Sequence, residues 1–144
     1  MVQLVRIFDA LPDDFPILRA AATAEGFCHI ERLAADWVSG LVRFDGEGEV
    51  LFAAYVGGAL AGIGGMTIEP ADASASRMRR FYVRPGFRAQ GVARALAGAL
   101  MQEAAHARRG MTVNAASTST GFWLALGFVA DARLGWTHRL PAVG

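Results

Sequence analysis

Arg80-Phe81-Tyr82-Val83-Arg84-Pro85-Gly86-Phe87-Arg88-Ala89-Gln90-Gly91-Val92-Ala93 is the stretch on which the reading of this chain turns. Its first part is rich in aromatic and β-branched residues, which suits a pleated, half-buried surface and predicts a strand over 77–83. Pro85 cannot donate to a strand ladder, and Gly86 accepts unusual dihedrals, so the strand stops there. From Gln90 onward Val92, Leu96, Ala99 and Leu100 recur at helical spacing, with Ala93, Ala95 and Ala97 as strong helix formers. The spacing predicts a helix over 90–109, so the passage is strand, tight turn, helix.

A turn that opens a helix is an anion site in waiting. The first N–H groups of a helix have no internal partner, and the helix dipole adds positive charge there. Gly91 carries no Cβ, and Ala89 and Ala93 only a methyl, so the backbone is open to a phosphate. Arg88 brings a guanidinium fork suited to phosphate oxygens. Arg77, Arg79, Arg80, Arg84, Arg88 and Arg94 cluster in this part of the chain, and no acid lies between Asp72 and Glu103. A field of that sign draws in a polyanion.

Outward from this stretch, charge is divided unevenly. Residues 1–72 hold four arginines against eleven acids; residues 73–144 hold ten against Glu103 and Asp131, which leaves a net charge of +1. Every basic residue is arginine. A basic half for a polyanionic ligand and an acidic half for a cationic amine would produce this pattern, and so would surface solubility alone. The 144 residues, 53% of them hydrophobic, suffice for one cored domain, 1–144, and are few for two. No apolar run approaches the ~20 residues that span a bilayer, and the N-terminus lacks the features of a signal peptide. Cys28 is the single cysteine, so no internal disulfide is open to the chain, and no Cys/His set has zinc-ligand spacing. A cytoplasmic protein without a metal or a membrane contact is expected.

The remaining elements follow from local signals. Residues 2–8 alternate as a strand, and Leu11-Pro12-Asp13-Asp14 starts a helix that runs to Glu25 and stops at Gly26. A second helix over 30–39 carries Leu33, Trp37 and Val38 on one side and ends at Gly40. Strands are expected over 50–56 and 59–68, joined by Gly57-Gly58. Glycines 62, 64 and 65 mark a bulge or a close backbone approach. After the helix of 90–109 come a strand over 111–114, a short helix from the Ser117–Thr120 hydroxyls to Gly127, and strands over 128–130 and 136–140. This order fits one mixed sheet with helices packed on it.

Val83-x-Pro85-x-x-Arg88-x-x-Gly91-x-Ala93, following a strand and opening a helix, resembles the acetyl-CoA signature of the GNAT N-acetyltransferase superfamily. Gly121-Phe122-Trp123-Leu124-Ala125-Leu126-Gly127-Phe128 is similar to that family's C-terminal aromatic segment, and the element order resembles its whole topology. The resemblance implies a single-domain α/β (α+β) GNAT-like fold: a mixed, mostly antiparallel sheet of six to seven strands flanked by four helices. It also implies that N–H groups of Arg88, Ala89, Gln90, Gly91, Val92 and Ala93 hold the pyrophosphate of acetyl-CoA (coenzyme A). The backbone of Phe81, Tyr82 and Val83 would pair with the pantetheine arm. Phe122 and Trp123 would border the acetyl group. The two helices near the N-terminus and their linker would help form the acceptor site; His29 and Glu31 lie there, with a binding role and plain surface placement as the two readings.

Acetyl transfer to an amine needs a held carbonyl, a neutral and aligned amine, and a proton for the leaving thiolate. The tyrosine that many family members use as acid is Trp123 here, and an indole does not release its proton near neutrality. Where many have a glutamate base, this chain has Arg77, Met78 and Arg79. His138, with an imidazole suited to proton transfer, and Glu69, at a strand end, are the named substitutes; their bland alternatives are a hydrogen-bonded strand histidine and a solvated loop acid. Tyr82 and Cys28 are weaker candidates, because Cys28 lacks a paired base.

The reading is an N-acetyltransferase that moves an acetyl group from acetyl-CoA to a small-molecule or peptide amine by direct attack on the thioester. The alternative is an acyl-CoA-binding regulatory or vestigial domain without turnover. Gly86-x-x-x-x-Gly91 has P-loop spacing but continues as Val92-Ala93, without the lysine and hydroxyl that site needs. No G-x-G-x-x-G opens a helix, which removes a dinucleotide site. The arginines gather around one phosphate-sized turn rather than a face with stacking aromatics, which argues against nucleic acid. The sequence does not fix the oligomeric state, and a homodimer is open to it.

Overall fold

The computed structural model describes residues 1–133 and 135–142. The elements are β1 (Val2–Arg6), α1 (Phe15–Ala24), α2 (His29–Ser39), β2 (Val50–Val56), β3 (Ala59–Ile68), β4 (Ala75–Val83), α3 (Val92–His106), β5 (Gly110–Val113), α4 (Thr120–Ala125), β6 (Val129–Arg133) and β7 (Trp136–Leu140). The seven strands form one sheet in the order β1-β2-β3-β4-β5-β7-β6. All pairs are antiparallel except β4–β5. The expected mixed sheet with four helices is the fold of this chain.

Helices cover both faces. On one, α1 and α2 bury Phe15, Leu18, Ile30, Leu33 and Trp37 against Leu51, Ile63 and Tyr82. On the other, α3 and α4 bury Leu96, Leu100 and Trp123 with Met78, Met111 and Val113. Together these clusters remove most large apolar groups from water, at about 1.5–3 kcal/mol for each fully buried side chain. Val38, expected on the apolar side of the second helix, is 83% exposed; Ile30, Leu33, Ala34 and Trp37 form the buried stripe instead.

Several boundaries differ from expectation, among them the ends of β1 (Arg6, not 8) and α3 (His106, not 109) and the span of β6 (129–133, not 128–130), and three of the shifts have clear local reasons. Pro12 and the two following acids form a turn, Phe15 N–H closing on Pro12 C=O, so α1 starts later. β4 begins at Ala75 because Glu69 N–H bonds Ala75 C=O across the connection to β3. α3 begins at Val92, not Gln90, because Ala89 (φ 62°) and Gly91 (φ 83°) are left-handed, a conformation no right-handed helix contains.

Two features shape the centre of the sheet. β4 pairs with β5 only over Ala75–Arg77, opposite Gly110–Thr112, and then the two strands part. Within β4, Arg80 has φ 55° and the register with β3 shifts by one residue, which is a β-bulge. The close approach expected of the β3 glycines is present: a Cβ on Gly64 would lie 2.8 Å from the Phe81 ring.

Candidate active site

The parted half of β4 leaves alternate peptide groups without a strand partner. Arg84 N–H bonds Ala61 C=O, and Tyr82 stands opposite Ile63. The antiparallel pattern therefore turns the peptide groups of Tyr82 and Arg84 toward β3. Those of Phe81 and Val83 point the other way, to the edge that β5 has left.

This edge leads into the turn before α3. Residues 85–87 form a single 3₁₀ turn, Gln90 Nε2 donates to Gly86 C=O at 3.2 Å, and Arg88 to Gly91 are exposed. Among the described residues, no backbone acceptor meets the N–H groups of residues 89–93. A Cβ built on Gly91 touches nothing within 4 Å. Consecutive N–H groups around left-handed residues form a concave nest that binds anions. A diphosphate fits here on charge and on room. Val92 itself is 1% exposed and anchors the helix to the core, so its part is limited to its backbone.

Side chains from α1 and α2 hold the opened edge. His29 Nε2 lies 3.0 Å from Phe81 C=O. A carbonyl only accepts, so Nε2 carries the proton and Nδ1 keeps its lone pair. Burial, and then the charges of Arg80 and Arg32, lower the His29 pKa despite that hydrogen bond, so the ring is neutral at pH 7. Its ring meets Phe27 and Tyr82 edge-on, with centroids 5.6 and 6.0 Å away. Two residues along, Arg88 Nε donates to Val83 C=O at 3.1 Å.

Glu25 completes the arrangement. Its carboxylate accepts both terminal nitrogens of Arg88, at 2.9 and 2.6 Å, and the Tyr82 hydroxyl at 2.6 Å. The bonds from Arg88 and Tyr82 lower the Glu25 pKa. Burial and the same carboxylate raise that of Tyr82, so the phenol stays protonated. Arg88, expected as a free cation for phosphate, is thus a bridge between Glu25 and the strand.

On the other side of the cleft stands an aromatic wall. Phe81 lies 5.2 Å from Trp123 and 6.1 Å from Phe122, centroid to centroid. Phe122 is half-buried. Trp123 is 3% exposed and packs on Phe128, so it backs the wall rather than facing a ligand.

The two residues named for proton transfer are not brought together. Glu69 is no solvated loop acid: it is 1% exposed, and Thr112 Oγ1 and Ala71 N–H donate to its two oxygens at 3.0 Å each. It fastens the point where β4 and β5 still pair. His138, 7% exposed, stands opposite Val113 on the α3 and α4 face and holds the Thr137 hydroxyl at 2.7 Å through Nδ1. Neither makes a hydrogen bond to the edge at Phe81 and Val83. His29 and Glu25 do the work there. Glu25 was invisible to motif reading, apart from one hint: an acid at a helix C-terminus opposes the dipole.

Some acids of the acidic half are paired with arginines. Glu31 pairs with Arg19, Asp36 with Arg80, and Glu25 with Arg88. The face under α2 instead carries Arg77, Arg79 and Arg80 of β4. No described group of His, Cys, Asp and Glu could hold a metal ion, and no described helix is long and apolar enough to cross a membrane.

A family model of the acetyltransferase (GNAT) domain matches residues 23–141. No curated protein matches by sequence. Among solved structures, a candidate acetyltransferase of Exiguobacterium sp. 255-15 is 26% identical, with a TM-score of 0.86 over 98% of this chain and 93% of that one. A GNAT-family acetyltransferase of Staphylococcus aureus Mu50 shares the fold at 10% identity, TM-score 0.71, over 99% of both chains. The ribosomal-protein-S18-alanine N-acetyltransferase of Escherichia coli does so at 14%, TM-score 0.69, over 100% and 97%.

Proposed function

We propose that this chain, which belongs to the GNAT acetyltransferase family, takes acetyl-CoA at the opened edge of β4 and acetylates an amine. The observation that carries the reading is the N–H nest of residues 89–93, unpaired among the described residues, at the end of a half-strand whose Phe81 and Val83 peptide groups face no neighbouring strand. The Exiguobacterium likeness and the family match support the transferase class. The single cysteine, exposed and free, is in keeping with a cytoplasmic setting.

The residues present fit that co-substrate. N–H groups of 89–93 would hold its diphosphate, and Phe81 and Val83 would hydrogen-bond its amide-bearing arm. Phe122 and Phe81 would flank its apolar end. Bound acetyl-CoA would supply the acetyl group as a thioester; direct attack by the amine would form the C–N bond as the C–S bond breaks and CoA leaves as its thiolate.

The chain's own groups then handle charge and protons. Val83 N–H points to the edge where a carbonyl oxygen gains charge, and one such donor contributes about 2.7–4 kcal/mol. We assign the base to His29 rather than His138 or Glu69: its Nδ1 lone pair is free and its ring is neutral at pH 7. Tyr82, held protonated by Glu25, orients polar groups on the α1 side without giving up its proton.

Thiol release from acetyl-CoA, followed across an amine library beside calorimetric titration of CoA, tests the reading. Turnover with at least one amine class supports it. CoA binding without any turnover would favour the regulatory alternative, and no CoA binding would overturn both.

A further inference from the structure

Arg77, Arg79 and Arg80 lie on the α2 face of β4, where the bulge at Arg80 puts neighbouring residues on one side. Their partners differ. Arg77 is met by Glu69 at 3.7 Å and by Gly135 C=O. Arg80 has one contact with Asp36 at 3.3 Å. Arg79 has only the Thr67 hydroxyl at 3.1 Å, and no described carboxylate pairs with it. It is half-buried between two like charges, and burial followed by Arg77 and Arg80 lowers its pKa.

Arg79 and Arg80 line a cavity of about 250 Å³ whose other walls are Val42, Phe44, Thr67 and Ile68. Glu49 also lines it, with Oε1 accepting Gly46 N–H at 3.1 Å. Apolar walls around an unanswered guanidinium make an uncomfortable place for a cation unless an anion joins it. The cavity is too small for a folded partner and large enough for a short carboxylate-bearing arm. Arg80 directly precedes Phe81, whose carbonyl faces the opened edge, and a strand advances only about 3.3 Å per residue.

On the reading above, we propose that the acceptor is an amine carrying an anionic group, a carboxylate first, which docks on Arg79 and Arg80 while the amine reaches the edge at Phe81 and Val83. The acidic half of the chain does not select a simple polycation. The arginine pair selects an amino acid or a related short ω-amino acid.

The test compares matched amines in the full-length enzyme: β-alanine against β-alaninamide, with 2-aminoethylphosphonate to separate carboxylate from phosphonate. The expected result is a preference of about tenfold or more in kcat/KM for the carboxylate, carried by KM. Arg79→Gln should erase the preference of acid over amide, and Arg79→Lys should keep part of it. A phosphonate preferred over the carboxylate would overturn the choice of carboxylate. Equal rates on acid and amide, or a preference that survives in Arg79→Gln, would overturn the site.

A second readout is independent of turnover. N-acetyl-β-alanine should bind the wild type saturably in calorimetry and fail to bind Arg79→Gln. That variant should melt at or above the wild-type temperature, because it removes an uncompensated cation. Such binding without turnover would sink the proposed chemistry and keep the site; equal binding to both proteins would sink the site.

Discussion

The two halves of β4 are completed in different ways. From Ala75 to Arg77 the strand is paired on both sides, and buried Glu69 ties the junction to Thr112 of β5. From Phe81 to Val83 it has a neighbour on one side only. His29 and Arg88 satisfy the carbonyls that β5 would otherwise have met. Sheet partners give permanent order, whereas side-chain partners can be exchanged. The half of the strand held by exchangeable partners is the half that a ligand can join as an added strand.

The sharpest way to break this contrast is at the exchangeable end. His29→Gln should lower kcat on the best amine at least about 100-fold, the usual range for a lost general base, with CoA affinity little changed. Gly91→Val should weaken CoA at least about 100-fold in calorimetry. Gly91 has φ 83°, so that variant should also lose about 1–2 kcal/mol of stability in urea, a strain separable from binding. An unchanged CoA affinity in Gly91→Val would count against the nest.

At the permanent end the expected effects reverse. Thr112→Val leaves the buried Glu69 carboxylate short of a donor and should cost about 2 kcal/mol of stability while CoA affinity stays the same. Loss of CoA binding there would blur the distinction between the halves. Glu25→Gln frees Arg88 from a partly exposed pair, so it should tighten CoA by no more than about fivefold and destabilise the fold by under about 1 kcal/mol.

The pH dependence follows from the same groups. His29 has a folded pKa below its ordinary 6.5. The unfolded chain therefore binds more protons in that window, and stability falls as pH drops through 6.5. Glu25 acts in the same direction lower down: its contribution is present above its ordinary 4.5 and is lost as pH falls through its lowered value. Melting curves of His29→Gln should lose the upper step and keep the lower one.

Much of this was legible in the residues, and the reason is distance along the chain. Strand, turn and helix at 77–109 could be read because Pro85, Gly91 and the helical spacing act on their own neighbours. The pairings of Glu25 with Tyr82 and Arg88 span 57 and 63 residues, and no local signal specifies them. The same holds for the parting of β4 from β5 and for the burial of Glu69, which depend on how separate segments meet. His138 and Trp123 illustrate the limit: residue type suggested proton transfer for the first and motif position a cofactor contact for the second, but the face each occupies is set by how the segments pack.

Amide hydrogen exchange with and without CoA tests the central claim most directly. In the free protein the amides of Phe81, Val83 and residues 89–93 should exchange faster than those of Ala75–Arg77, and CoA should slow them selectively. Amides of 81, 83 and 89–93 that are protected before CoA is added, or unchanged after saturation, would contradict the account.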